Sequence, residues 1–185
     1  MMMTEVDRQR YPKLRLYLEQ ILPDLPSRKP YVYAVWQRYA AANRDKSKLE
    51  WTTLNWGWDP LVKVDDDEMM KCYDERVYRE EGPMAPRKVR WYGLTPDLNQ
   101  IIIAADLASL PGTPNEIVLE NTLLHEMIHW SRLAAGQSNW DDEDDPYAFE
   151  REAYGVSATE LLRGWNYCLP YVLDSSGSLG PYRQR

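Results

Sequence analysis

The feature that most constrains this chain is a pair of histidines set four residues apart in an apolar run, Leu123-Leu124-His125-Glu126-Met127-Ile128-His129-Trp130. An α-helix advances about 100° per residue, so residues four apart stack on one face and both imidazoles project the same way. These are the only 2 histidines in 185 residues. Neutral imidazoles buried on a Leu/Met/Ile/Trp helix each need a polar partner, and one metal ion serves both. Glu126 follows the first histidine and lies near the same face, where its carboxylate reaches a water on that ion without ligating it. The bland alternative is a core helix whose histidines bond locally.

The surroundings specify the helix. Thr113-Pro114-Asn115-Glu116 reads as a capping box, with Thr113 as N-cap, Pro114 at the first helical position and Glu116 two residues further on. Apolar residues from Ile117 to Leu133 then surround the helix, so it is expected to be buried until Gly136 ends it. A catalytic zinc takes three protein ligands and leaves a position for water, so two histidines require a third donor, which here must be Asp, Glu or Cys. Asp145-Pro146 opens a further helix, expected from Tyr147 to about Trp165, that carries Glu150 and Glu152. Residues two apart on a helix point about 200° from each other, so only one of these can face the metal. The acidic run Asp141 to Asp145 and Cys168 are the remaining candidates.

His125-Glu126-Met127-Ile128-His129, followed by a helix with Glu152-Ala153 and Leu161-Leu162, resembles the glutamate zincins (gluzincins). It is similar in particular to compact ImmA/IrrE-type metallopeptidases and to small bacterial toxin or effector metallopeptidases. The resemblance covers about Ile101 to Leu162. It implies a zincin-like α+β domain, mostly helical, with a small sheet or hairpin beside the active-site helix. It further implies Zn²⁺ held by His125, His129 and Glu152. Glu126 is then the general base that takes a proton from the attacking water and passes it to the leaving amine. Tyr154, Tyr147 or Arg151 is the expected donor to the tetrahedral oxyanion, with Tyr154 named first. An extended substrate would pair with an exposed strand edge between Lys88 and Ala104.

Elsewhere, Arg8 to Leu22 carries apolar residues at three- and four-residue steps, the pattern of one amphipathic helix, and Pro30 opens a second stretch to about Ala42. Leu49 to Leu54 reads as a short strand and Asn55 to Pro60 as a turn. Asp65 to Glu68 begins a helix through Tyr78. Lys88 to Leu94 and Gln100 to Ala104 form a hairpin, and Ile101-Ile102-Ile103 suits a strand covered on both faces. Asp174 to Ser178 reads as a loose tail.

With 44% hydrophobic residues, the chain suffices for one domain, 1–185, with an N-terminal helical part to about 85 and a catalytic core over about 86–170. A net charge of −7 and the lack of a basic stripe argue against a nucleic-acid partner. No signal-like or membrane-spanning stretch is present, so the expected location is cytoplasmic or secreted by a signal-independent route, without membrane insertion. Cys72 and Cys168 read as separate buried thiols. The leading expectation is a zinc metallopeptidase acting on a protein or peptide, a bacterial effector or toxin that has secretion machinery or an immunity protein as partner. The alternatives are a peptidoglycan-peptide amidase or endopeptidase and a non-catalytic module stapled by zinc.

Overall fold

Proline divides what periodicity joins at the N-terminus. In the computed structural model, which describes residues 1–41, 54–67, 92–136, 144–156, 171–173 and 179–181, the single helix expected over Arg8 to Leu22 is split. Helix α1 spans Glu5–Arg10, capped by the Thr4 side chain, and α2 spans Pro12–Leu16. Between them Tyr11 takes φ −124° and ψ 65°, because the ring of Pro12 disfavours helical geometry at the residue before it. The chain then widens into a π-helical turn, Tyr17–Ile21, closed by Leu22 N–H donating to the Tyr17 carbonyl at 2.9 Å. Helices this short are marginal alone. Leu14, Tyr17, Leu18 and Leu22 are all buried in the main core, and this burial holds the segments in place.

A short helix, α3 (Leu25–Arg28), which the proline-rich sequence concealed, leads into α4 (Pro30–Ala41). The long central helix α5 runs over Glu116–Ala134 and the last helix described, α6, over Asp144–Tyr154. Helices α4, α5 and α6 pack against one another in each pairing. The start of α5 lies later than expected. Thr113, Pro114 and Asn115 form a preceding turn, in which the Thr113 hydroxyl accepts from Asn115 N–H at 3.2 Å and the Glu116 carboxylate accepts from Gly112 N–H at 2.8 Å. Its end agrees with the sequence, since Gly136 takes φ +79° just past the last turn.

The sheet has the order β1-β2-β4-β3, with β1 at Met2–Met3, β2 at Leu61–Val64, β3 at Gly93–Leu94 and β4 at Gln100–Ile103. Strand β2 lies parallel to both β1 and β4, in the register Val62↔Ile101, and β3 runs antiparallel to β4. The expected hairpin is thus present over its described part. Strand β2, a central member, was not anticipated, because four residues after a proline carry too little pattern to distinguish them from a loop. Ile101, Ile102 and Ile103 are buried, as a strand covered on both faces requires. Helix α5 lies against β3 and β4, so one side of the central helix faces the sheet edge. A separate ribbon pairs β5 (Tyr171–Leu173) with β6 (Leu179–Pro181).

The architecture is therefore α+β, mostly helical, with a small mixed sheet beside the central helix. The strand expected at 49–54, save its last residue, the helix expected through Tyr78 beyond Asp67, the thiols of Cys72 and Cys168, and the tail at 174–178 lie outside the described residues.

Candidate metal centre

Helix α5 is buried from Val118 to Arg132, including polar side chains that a core ordinarily excludes. His125, Glu126 and His129 retain 9%, 5% and 5% of their exposure, so each needs internal partners. The two imidazoles meet through their Nε2 atoms at 3.2 Å. Two nitrogens bound tetrahedrally to one zinc at 2.0–2.1 Å lie about 3.3–3.4 Å apart, so the pair already has the spacing such an ion requires. A carboxylate only accepts, so the 2.7 Å contact between His125 Nδ1 and Glu150 Oε1 is an Nδ1–H donation. In the neutral imidazole this places the proton on Nδ1 and the lone pair on Nε2, the atom that faces His129. The donor chemistry fits a divalent ion. Among the described residues no three His, Cys, Asp or Glu side chains form a metal-holding group, so what the structure shows is the histidine pair and its carboxylate support.

Glu126 lies on the side of α5 that faces the sheet edge. Thr95 Oγ1 stands 2.8 Å from Glu126 Oε2 and 3.0 Å from the Glu126 carbonyl oxygen. A Cβ built on Gly93 would fall 2.6 Å from Glu126 Oε1, 2.7 Å from its Cγ and 2.8 Å from Thr122 Cγ2. Only glycine lets β3 approach the helix this closely. The indole N–H of Trp130, one residue beyond His129, donates to the Leu98 carbonyl at 2.8 Å and ties the β3–β4 connection to the same helix.

Helix α6 closes the other side, and here the sequence expectations for two residues give way. Pro146, Phe149 and Glu150 are buried and Ala153 packs on the core, a stripe at three- and four-residue steps that turns inward. Glu152 falls on the outer face. Its carboxylate pairs with Arg38 and accepts from the Tyr39 hydroxyl at 3.0 Å, both on α4, so it is not brought to the histidines. The Arg38 bond, followed by that from Tyr39, holds the Glu152 carboxyl below its ordinary range. Tyr154, expected as an oxyanion donor, instead donates to Glu120 Oε1 at 2.8 Å. Glu120 also accepts from Lys29 at 2.7 Å and from Tyr17 at 3.4 Å. Burial and then the Glu120 charge push both phenols well above their usual range, which keeps them protonated. This cluster joins α6 to the N-terminal helices. Tyr147 meets the site instead, its ring edge-on to His125 with centroids 5.4 Å apart. Helix α6 stops at Tyr154, with Gly155 at φ +78°, and residues 157–165 of the expected helix lie outside the described residues.

Gly93 and Thr95 carry no mark in the sequence that joins them to the central helix, and Glu150, not Glu152, is the α6 carboxylate beside His125. The helical phase of Pro146, Phe149 and Ala153 was a usable signal for Glu150. Gly93 and Thr95, two apart in an extended run, share a face, but nothing in the sequence tells which helix residue that face meets.

Imidazoles facing one point, a carboxylate held beside them and a strand edge alongside form a constellation of the metallohydrolase class. The comparisons narrow it: the family described as metallopeptidase toxin 3 matches residues 7–155, and the chain belongs to that family. No curated protein and no solved structure gives a match.

Proposed function

We propose that the protein is a zinc-dependent metallopeptidase toxin that hydrolyses a peptide bond in a protein or peptide of the cell it acts on. The observation that carries this reading is the 3.2 Å approach of the His125 and His129 Nε2 atoms. It occurs in a chain whose family is one of metallopeptidase toxins. In this reading His125 and His129 hold the ion through Nε2. Glu150, rather than Glu152, is the α6 carboxylate committed to the site, and its grip on Nδ1 keeps His125 in the ligating tautomer. An ion so held supplies Lewis acidity and acidifies water.

The remaining work belongs to side chains of this chain. Glu126 removes a proton from the attacking water at its carboxylate and delivers it to the departing amine nitrogen. Burial of the carboxylate strengthens its electrostatic interactions relative to water. Tyr147, whose ring meets His125, takes the oxyanion-donor role expected of Tyr154. Strand β3 lies against Glu126 at the end of the described sheet with Gly93 and Leu94 both buried, so it seats the base and is not the exposed edge expected for an extended substrate. Delivery by secretion machinery and neutralisation by an immunity protein complete the proposal.

The test combines hydrolysis of fluorescently labelled casein with growth arrest on induced expression in a bacterial host. Glu126→Gln is expected to retain the ion and to lose both activities, by about 100-fold or more in hydrolysis. Undiminished hydrolysis and arrest in this variant would refute the mechanism.

A further inference from the structure

We propose that Thr95 is a positioning residue for the base, and that the run Gly93 to Thr95 clamps the Glu126 carboxylate before substrate arrives. The inference rests on the reading of Glu126 as the base. A glutamate has three side-chain torsions, and on an open surface its carboxylate samples many positions. Here one oxygen, Oε2, lies 2.8 Å from the Thr95 hydroxyl, and Thr95 is itself buried at 2% exposure. The other, Oε1, is walled by bare backbone, since a Cβ on Gly93 would lie 2.6 Å from it. Residues 93 and 95 share one face of an extended run, so the two constraints come from the same side of the same segment. Hydrogen bond and wall together fix both the direction and the depth of the carboxylate.

The hydroxyl has one hydrogen, and Glu126 offers it both the carboxylate at 2.8 Å and the main-chain carbonyl at 3.0 Å. The charged oxygen is the stronger acceptor, so the bond goes to the side chain. Thr95 meets neither the substrate nor the histidine pair in this account and acts only through Glu126.

Two substitutions separate this role from packing. Thr95→Val keeps the shape and removes the hydroxyl, and Thr95→Ser keeps the hydroxyl. With labelled casein, Thr95→Val is expected to lower kcat about 10-fold or more, with KM and bound metal within about twofold of wild type, and Thr95→Ser is expected to restore kcat. A second readout needs no substrate. In a double-mutant cycle, the fall in Tm caused by Thr95→Val should be less than half as large in a Glu126→Ala background. An unchanged kcat in Thr95→Val beside an active wild type overturns the clamp and leaves the peptidase reading standing. If the wild type fails to cleave casein, the cycle alone decides: equal falls in Tm in the two backgrounds overturn the clamp.

Discussion

Gly93→Ala puts the contact between sheet edge and central helix under the most direct strain. The added methyl would sit 2.6 to 2.8 Å from three heavy atoms, about 1 Å inside normal carbon contact. One of these, Glu126 Oε1, is the end of a flexible chain, but Glu126 Cγ and Thr122 Cγ2 lie close to the α5 backbone and cannot swing away. Relief requires β3 to move off the helix. Overpacking costs about 1–3 kcal/mol, and three simultaneous contacts put this case near about 3. For a domain of this size that corresponds to a fall in Tm of about 6–12 °C. Gly93 does not take a positive φ, so the effect is steric and not conformational. Gly112→Ala is the counterpart: nothing lies within 4 Å of its Cβ position, but φ is +76°, and its cost is the left-handed penalty of about 1–2 kcal/mol. Thermal denaturation followed by far-ultraviolet circular dichroism, beside casein hydrolysis, measures both. A Gly93→Ala protein that melts within about 2 °C of wild type and retains hydrolysis would refute the reasoning, because β3 could then not be seated on Glu126.

Other expectations follow from the cluster around Glu120. Glu120→Gln removes a buried charge that accepts from Lys29 and Tyr154. The Lys29 side chain is 33% exposed and can turn to water, so the cost is that of weakened charge-assisted bonds, about 1–3 kcal/mol by urea denaturation; a change below about 0.5 would deny the cluster a stabilising role. Tyr17 and Tyr154 have pKa values raised in the folded state. The stability they contribute is complete below the unfolded tyrosine value of about 10 and is lost as pH climbs above it. Tyrosinate absorbance should show these two phenols ionising together with unfolding, and titration of both near pH 10 in a folded chain would contradict their burial.

Much of this was legible in the sequence, for identifiable reasons. The histidine spacing and the all-round apolar character of residues 117–133 specify a buried helix with two donors on one face, and Gly136 marks its end through a conformation glycine tolerates. Local signals did less well where a tertiary contact decides. The proline at position 12 broke a periodic helix, and the Thr113 capping pattern was used as a turn, its side chains satisfying backbone donors before the helix began. Which of Glu150 and Glu152 turns toward α5 was a question of helical phase, which Phe149 and Ala153 answer. The Tyr154 hydroxyl was drawn away by Glu120, five residues before His125 and turned well off the histidine face. Gly93 and Thr95 were not legible as site residues at all, since their role arises only from where the sheet edge meets the helix.

The central claim is tested most directly by elemental analysis of metal bound to the wild type and to the His125→Ala, Glu150→Ala and Glu152→Ala variants. The account expects about one divalent ion per wild-type chain and none in His125→Ala. It expects affinity lowered about 10- to 100-fold in Glu150→Ala, and wild-type content in Glu152→Ala, whose side chain is engaged with Arg38 and Tyr39. A wild type that binds no divalent ion even after reconstitution, or an ion lost in Glu152→Ala and kept in Glu150→Ala, would contradict it.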